Sequence, residues 1–322
     1  MWRSRRSRKT APTFLFSLNP MEETESLEAL VAASEHVKLD HLAESYPVLH
    51  ITHPSAEAKL ALHGAHLISW TPEGEKPVIY TSPAAVFQNG KAIRGGIPLC
   101  WPWFNAHPTD PEKPSHGVAR TNVWQLDSIK ETEEKVSLIL SLPDSKSLQE
   151  LVGHPFKLIL KLDIGKELRV HIMTENTGPE PIRIGGAIHS YFSVSNAHEV
   201  SLEGLDSIEF IDTTGEETIQ TQNGAVTISG EVDSIYVETS DTVVLKDPKW
   251  NRQINIGKSG SATTVIWNPG PENAQKLSDL PDDGYLDFVC VEAANARRDI
   301  YSLDPGQLHC LVQTVSVSPL EA

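Results

Sequence analysis

The segment FKLILKLDIGKELRVHIMTEN, residues 156–176, shows the periodicity on which the fold prediction depends. Apolar residues occupy every second position of its first half: Phe156, Leu158, Leu160 and Leu162. A turn is predicted around Asp163–Lys166, followed by a returning strand from Leu168 to Thr174. Because alternation with a period of two is typical of a half-buried β-strand, we interpret this segment as an antiparallel hairpin.

The same pattern continues on both sides of this hairpin. AKLALHGAHLISW, residues 58–70, predicts two paired strands with a turn near Gly64, and VSLILSL predicts a strand over 136–142. Further candidate strands are IRIGGAIHSYFSV, VTISG, SIYVET, TVVLK, QINI, TTVIW, YLDFVCVEAA and QLHCLVQTVSV. Helical spacing is confined to residues 26–36, so the crossover helices that parallel strands need are missing. The sequence therefore predicts an all-β protein, a large antiparallel β-sandwich of roughly a dozen or more short strands.

Composition limits the domain organisation and the classes of partner. The chain has 322 residues, of which 39% are hydrophobic, enough for one large all-β domain or two ordinary ones. Since neither a repeat nor a Pro- or Ser-rich linker divides the strands, we expect a single domain over residues 25–322. A net charge of -16 argues against nucleic acid or an anionic membrane as a partner.

The apolar runs and the cysteines indicate the compartment. A membrane-spanning helix needs about 18 consecutive apolar residues, and every apolar run in this sequence is much shorter. Three cysteines without metal-type spacing favour buried free thiols in a reducing environment, and we expect a cytoplasmic monomer. The cysteines are Cys100, Cys290 and Cys310.

Residues 1–24 differ from the rest of the chain. The first twenty contain five basic residues and no acidic one, and a second methionine follows at position 21. A disordered extension, an upstream start codon and an organelle-targeting segment all fit this composition. No function is inferred from this leader.

The segment Lys91–Trp124 is aromatic and irregular. Two adjacent glycines and prolines at 98 and 102 exclude a regular helix or a central strand. Arg94, His116 and Arg120 accompany three of the chain's seven tryptophans here. A binding wall for a flat, anionic ligand and a well-packed loop with solvated arginines both fit the segment.

Four other places carry candidate chemistry. His189 lies in the apolar run IGGAIHSYFSV, where a core histidine is the structural alternative. Glu292, within VCVEAA, requires a donor, a cation or a raised pKa, because an unpaired buried carboxylate is costly. Asp212 fits an Asx-turn as well as a ligand contact. Trp267 and Asn268 precede two prolines, which fits a plain turn or the rim of a sugar site.

Familiar cofactor and metal motifs are absent. The sequence contains no GxGxxG, GxxxxGK[ST], HExxH, CxxC or GxSxG motif. The histidines are scattered along the chain, and His63 and His66 are predicted to lie on the surface. We expect neither a metal nor an organic cofactor.

Five motifs resemble those of one family and occur in the same order along the chain. IRGGIPLCWPWF, PSHGVART-x-x-W, GAIHSYF, VIWNPGPENA and FVCVEAA are similar to motifs of the hexose-6-phosphate mutarotases, also called glucose-6-phosphate 1-epimerases. These belong to the galactose-mutarotase superfamily, and the resemblance extends over residues 47–317. It implies the supersandwich fold of that superfamily, which agrees with the strand prediction.

The resemblance also implies roles for individual residues. Glu292 corresponds to the general base and His189 to the general acid of the family. Arg94 and Arg120 correspond to its substrate-binding arginines, and Asp212 to an aspartate that binds sugar hydroxyls. The remaining candidates for substrate contact are Ser115, where some members have glutamine, together with His116, Trp267 and Asn268.

The implied reaction interconverts the α and β anomers of hexose 6-phosphates, with glucose 6-phosphate as the expected substrate. A base removes the proton of the anomeric hydroxyl while an acid protonates the ring oxygen, so that the ring opens and closes again on its other face. Two alternatives are a mutarotase of unphosphorylated aldoses and a carbohydrate-binding module without turnover. The paired arginines disfavour the first, and the acid/base pair disfavours the second.

Overall fold

The computed structural model describes residues 26–42, 46–240 and 242–320 of the chain. The strands in these residues are β1 (Val37–His41), β2 (Pro47–His53), β3 (Ala56–Ala61), β4 (His66–Pro72), β5 (Leu99–Cys100), β6 (Gln125–Glu131), β7 (Lys135–Ser141), β8 (Phe156–Gly165), β9 (Glu167–Asn176), β10 (Ile182–Ile184), β11 (Gly186–Ile188), β12 (Tyr191–Ser193), β13 (Ser201–Glu203), β14 (Glu209–Asp212), β15 (Thr218–Thr221), β16 (Val226–Thr227), β17 (Val232–Val237), β18 (Val243–Asp247), β19 (Arg252–Ser259), β20 (Thr263–Asn268), β21 (Phe288–Asn295), β22 (Tyr301–Leu303) and β23 (Leu308–Pro319). The α-helices are α1 (Leu27–Ala32), α2 (Lys146–Val152) and α3 (Gly270–Ala274). Short 3₁₀ turns cover Ala119–Thr121, Ala197–Glu199, Pro248–Trp250, Gly284–Leu286 and Arg297–Asp299.

The strands form antiparallel sheets, as the sequence predicts. A nine-stranded sheet has the order β16-β13-β18-β19-β23-β9-β8-β7-β6. An eight-stranded sheet has the order β15-β14-β17-β20-β21-β11-β5, and β12 also pairs with β21. Strands β1 to β4 form a third sheet in sequence order, and β10 pairs with β22. The all-β supersandwich prediction is confirmed.

The hairpin at residues 156–176 lies inside the nine-stranded sheet. β8 pairs with β9 in a continuous register from Phe156 opposite Asn176 to Ile164 opposite Leu168. The turn falls at Gly165 and Lys166, at the end of the predicted turn. Leu158, Leu160 and Leu162 are fully buried because they share one face of the strand.

One cluster of buried side chains joins the three large sheets. Leu160 of the nine-stranded sheet, Leu49 of the four-stranded sheet and Val291 of the eight-stranded sheet all belong to it. Burying each such side chain contributes about 1.5–3 kcal/mol. Since strand residues alternate between faces, the neighbours of Val291 on β21 face away from this core. That outward face of the eight-stranded sheet carries the candidate site.

Several local predictions require correction. His63 and His66 are buried, not exposed. Nε2 of His63 accepts from the amide of Gly90 at 2.9 Å, and Nε2 of His66 lies 2.8 Å from the carbonyl oxygen of Gly95. Nδ1 of His63 also lies 3.0 Å from the Tyr46 hydroxyl, so both of its ring nitrogens have partners, whereas the buried Nδ1 of His66 has none among the described residues.

Other outcomes concern the elements themselves. The helix predicted over 26–36 is confirmed but covers only Leu27–Ala32. IRIGGAIHSYFSV, predicted as one strand, forms β10, β11 and β12 with different partners.

Cys100 and Cys290 are buried free thiols as expected, whereas Cys310 is partly exposed. Residues 1–24 lie outside the described residues. No helix within the described ranges is long and apolar enough to cross a membrane.

Candidate active site

Strand register places His189 opposite Glu292. β11 pairs with β21 through Ile188 and Ala293, and β12 pairs with it through Tyr191 and Cys290. These two pairs follow one continuous register, in which residue 189 falls opposite residue 292. Both side chains lie on the outward face of the sheet, because residues directly across an antiparallel pair share a face.

The two side chains are in contact and buried. Nε2 of His189 lies 3.4 Å from Oε1 of Glu292, and the side chains are only 10% and 1% exposed. Within the described residues, Nδ1 of His189 and Oε2 of Glu292 have no hydrogen-bond partner. Buried polar atoms are normally satisfied, so two unpartnered atoms in one contacting pair indicate a site for ligand atoms.

Burial opposes charge on both members of this pair. Burial raises the pKa of Glu292 well above its ordinary 4.5, and the carboxylate of Asp233 adds to the effect while Arg120 opposes it. Burial lowers the pKa of His189 well below 6.5, with further lowering from His116, Arg120 and Arg94. The contact has the length of an ion pair, but desolvation disfavours two separate charges here. The pair therefore holds one proton between a carboxyl group and an imidazole.

A second row of side chains lies beside this pair on the same face. Register places Asp233 opposite Trp267, Trp267 opposite Cys290, and Cys290 opposite Tyr191. The Tyr191 ring stacks on the His189 ring with centroids 5.1 Å apart and planes 12° apart. The Trp267 ring meets the His189 ring edge-on at 6.0 Å. This packing fixes the plane of the imidazole.

Asp233 is a residue that sequence reasoning missed. It is half-buried on the face of Glu292, and burial raises its pKa, with Glu231 and Asp212 raising it further and Thr213 opposing. Its partner Trp267 was a candidate, but only the strand register reveals that Asp233 lies across from it. A carboxylate there can accept hydrogen bonds from sugar hydroxyls.

The irregular segment 91–124 brings cations to this face. Gly95 and Gly96 have positive φ values of 97° and 68°. A Cβ on Gly96 would lie 2.2 Å from Nε2 of His66, and one on Gly95 would lie 2.5 Å from Cα of Thr81. Only glycine fits both the conformation and the space, which explains the two glycines that follow Arg94.

The two arginines have different partners. Nε of Arg94 donates to Oδ1 of Asp279 at 3.1 Å, and Nη1 donates to the Tyr191 hydroxyl at 3.3 Å. Nη2 of Arg120 donates to the carbonyl of Ser115 at 3.1 Å, and its buried Nε has no partner among the described residues. The Ser115 side chain is exposed, so its backbone is what the structure connects to the site.

His116 lies beside His189 and within electrostatic range of both arginines. Its ring centroid is 5.8 Å from that of His189, and burial lowers its pKa to about 3, with Arg120 and Arg94 adding to the effect. The imidazole is therefore neutral at physiological pH. His116 has a positive φ of 62°, and the next residue is Gly117, where a Cβ would overlap the Trp101 carbonyl. The chain at this point therefore requires glycine after His116.

Two predicted substrate contacts have other partners. Asp212 pairs with Ser234 and thus lies on the opposite face of the sheet from Glu292. Its Oδ1 accepts from the amide and hydroxyl of Thr214, which forms an Asx-turn. Asn268 is fully buried, and its amide donates to the carbonyls of Tyr285 and Phe288. The structure gives both residues structural contacts instead of places in the cleft.

The structure therefore brings together His189, Glu292, Trp267, His116, Arg94 and Arg120 from the predicted set. Among the described residues, no group of three or more His, Cys, Asp or Glu side chains is arranged to hold a metal ion. A carboxyl group and an imidazole that share one proton can donate a proton to one oxygen and accept one from another. The guanidinium groups of Arg94 and Arg120 are of the kind that can bind an anion.

Comparison with known proteins identifies the family. The family model described as Aldose 1-epimerase matches residues 47–316, which is most of the chain. The chain belongs to this family. Its class of activity is that of an aldose 1-epimerase, or mutarotase, which interconverts sugar anomers.

Individual relatives agree with this assignment. A protein of Escherichia coli (strain K12) named "Putative glucose-6-phosphate 1-epimerase" is 38% identical over 261 residues, covering 80% of this chain and 85% of its own. A protein of Salmonella typhimurium with the same name is 34% identical over 296 residues, covering 91% and 96%. Among solved structures, a putative mutarotase from Salmonella typhimurium superposes with a TM-score of 0.84 at 31% identity, covering 89% of this chain and 95% of the other.

Proposed function

We propose that this protein interconverts the α and β anomers of hexose 6-phosphates, with glucose 6-phosphate as the substrate. The observation that carries the proposal is the buried His189–Glu292 pair, with a 3.4 Å contact, beside the two arginines Arg94 and Arg120. The names of the relatives support this choice of substrate.

The pair accounts for the proton transfers. Ring opening needs one group that accepts the proton of the anomeric hydroxyl and one that protonates the ring oxygen. In the family assignment Glu292 accepts and His189 donates, which places the shared proton on the imidazole when the sugar is bound. After rotation about the C1–C2 bond, the same two groups act in reversed roles. No proton is gained or lost over the cycle.

The surrounding side chains account for sugar binding. Trp267 and Tyr191 present aromatic rings beside His189, and aromatic faces pack against the apolar face of a pyranose. The Asp233 carboxylate faces the same side and can accept from ring hydroxyls. These three side chains would hold C1 and the ring oxygen against the acid/base pair.

The arginines account for the phosphate. The guanidinium group offers parallel N–H donors that match phosphate oxygens and keeps its charge when water is excluded. The protein itself carries a net charge of -16, which repels a dianion. Local cations are therefore required, and Arg94 and Arg120 supply them.

The first experiment measures anomerisation directly. Freshly dissolved α-glucose 6-phosphate is followed by polarimetry or by a coupled dehydrogenase, with and without the protein. Acceleration above the spontaneous rate supports the proposal. Acceleration with glucose alone would instead establish a mutarotase of unphosphorylated aldoses, and no acceleration with either sugar would leave a binding module.

The second experiment tests the phosphate subsite. Arg94→Ala and Arg120→Ala are each expected to raise KM for glucose 6-phosphate by about tenfold or more, the worth of a charge-assisted hydrogen bond. KM for glucose should change less. Arg183→Ala on β10 is the control, because that arginine is exposed and lies in the two-stranded sheet. Equal losses on both sugars would show that the arginines do not recognise phosphate.

A further inference from the structure

The carboxylate of Asp279 is the ion-pair partner of Arg94. Nε of Arg94 and Oδ1 of Asp279 are 3.1 Å apart, and both side chains are 23% exposed. Arg120 has no ion pair within the described part of the chain and donates to the uncharged carbonyl of Ser115. The two arginines of the site therefore differ in charge compensation. Nothing in their sequence contexts distinguishes them in this way.

Asp279 is held in place from both sides. The Ser82 hydroxyl donates to the Asp279 carbonyl at 2.7 Å, and the Ser82 amide donates to the Arg94 carbonyl at 3.1 Å. Together with the Arg94–Asp279 contact, these bonds close a ring through three residues. The next residue, Leu280, is buried in the same apolar cluster as Tyr191. Asp279 consequently sits on a fixed part of the segment between α3 and the 3₁₀ turn at 284–286.

These contacts determine the direction of the guanidinium group. The group is planar, so binding Nε to Asp279 and Nη1 to the Tyr191 hydroxyl fixes where Nη2 points. No hydrogen bond to Nη2 is formed by the described residues. Tyr191 in turn stacks on His189, so the arginine is connected to the acid/base pair through one aromatic ring.

We propose that Asp279 is a positioning residue that orients Arg94 towards the phosphate of the substrate and offsets its charge, leaving Arg120 as the uncompensated cation of the site. The proposal rests on the hexose 6-phosphate activity proposed above. Asp279 acts through Arg94 and does not itself contact the sugar phosphate.

The test separates the hydrogen-bond acceptor from the rest of the side chain. Asp279→Ala removes the acceptor that orients Arg94, and we expect KM for glucose 6-phosphate to rise about tenfold, because the guanidinium group then loses its charge-assisted hydrogen bond to the phosphate. The kcat value should stay within about twofold, because the acid/base pair is unchanged. Asp279→Asn keeps an acceptor oxygen, so its KM should stay close to the wild-type value. Asp282→Ala is the matched control, because this aspartate is exposed on the same segment.

A double-mutant cycle tests whether Asp279 acts through Arg94. The double variant R94A/D279A is expected to have the same KM as R94A alone, since the positioning residue then has nothing to position. The proposal would be overturned if the effects of R94A and D279A on KM were additive. It would also be overturned if D279A left KM unchanged, or if D279N raised KM as much as D279A. If D279A does not fold, the variant Ser82→Ala replaces it. This change removes the hydrogen bond from the Ser82 hydroxyl to the Asp279 carbonyl and should also raise KM. An unchanged KM in that variant would overturn the proposal.

The outcomes also distinguish this proposal from the proposed function. If the wild-type protein does not accelerate the anomerisation of glucose 6-phosphate, the proposed function fails. If the wild type is active and the cycle is additive, only the role of Asp279 fails.

Discussion

Glu292 on β21 faces His189, which lies between β11 and β12, with 3.4 Å between Oε1 and Nε2. Backbone pairs on both sides, Ile188 with Ala293 and Tyr191 with Cys290, fix the separation of the two Cα atoms. The geometry of proton transfer is therefore a property of the sheet, whereas the cations reach the site on irregular segments.

Removal of either member of the pair should slow the chemical step. Glu292→Gln and His189→Asn are each expected to lower kcat for glucose 6-phosphate by about 10²–10⁴-fold, the range for one positioned acid or base. The double variant should lose less than the product of the two losses, because the residues act as a unit. Exchange NMR between the two anomers at equilibrium measures these rates.

Ser190→Ala is the control for these two variants. Ser190 is adjacent to His189 but faces the core, where its hydroxyl bonds to Gln313. Its loss should reduce stability by about 1 kcal/mol and leave kcat unchanged. A Glu292→Gln enzyme with near-normal kcat would contradict the assignment.

The rate should depend on pH at both ends of the range. The active pair holds one proton, so kcat/KM should fall at low pH when a second proton binds and at high pH when the only proton is lost. Because burial lowers the pKa of His189 and raises that of Glu292, the acid limb should lie below pH 6.5 and the basic limb above pH 4.5. An acid limb centred above pH 6.5 would contradict the effect of burial.

Stability should decrease in acid, in part because of His66. Burial lowers its pKa to about 3, although the contact with the Gly95 carbonyl opposes this, whereas the unfolded chain protonates near 6.5. Between these values the unfolded state binds one more proton, so the free energy of unfolding falls as pH falls, by about 1.4 kcal/mol per pH unit for one such group. Urea unfolding at pH 7, 6 and 5 measures this slope.

The variant His66→Gln isolates the contribution of this residue. Glutamine does not titrate. The slope of the unfolding free energy against pH should therefore be smaller below pH 6.5 than in the wild type, by about 1.4 kcal/mol per pH unit. Identical slopes would show that His66 is not the group responsible.

Gly96 should tolerate no side chain. Gly96→Ala would place a Cβ 2.2 Å from Nε2 of His66 and 2.5 Å from the Leu67 carbonyl oxygen, at a positive φ of 68°. Gly90→Ala is the matched control, with a φ of 80° and no atom within 4 Å of the added Cβ. We expect the control to lose about 1–2 kcal/mol from backbone strain alone, and Gly96→Ala to lose more. Equal losses in thermal unfolding experiments would rule out the steric explanation.

The fold was predictable because a strand that is buried on one face has an apolar residue at every second position. Phe156 to Leu162 show this period in the sequence, and the structure places these side chains in the core. Helix α2 was not predicted, because its seven residues are too few for a clear helical period; its Ser145 cap and left-handed Gly153 define its ends instead. The burial of His63 and His66 could not be predicted, because the backbone groups that contact their Nε2 atoms are distant in sequence.

The site was predictable only in part, because pairing between strands is not visible in one sequence. His189 and Glu292 were found from their apolar surroundings and from the family motifs. The proposed roles of Asp233 and Asp279 could not be predicted, because each depends on a partner in a different element. Asn268 was selected from its position before two prolines, but its amide is used by carbonyls of the following segment.

The proposed acid/base pair and the proposed anion-binding groups belong to different kinds of structure. Glu292 lies within a fully buried central strand, whereas Arg94 and Asp279 lie on connections whose ends are tied to the sheet. These connections could be exchanged without altering the strands that move the proton. A protein engineer could therefore retarget the molecule to other aldoses by transplanting residues 91–98 and 276–283 together, because the Ser82 bridge makes them a single unit of recognition.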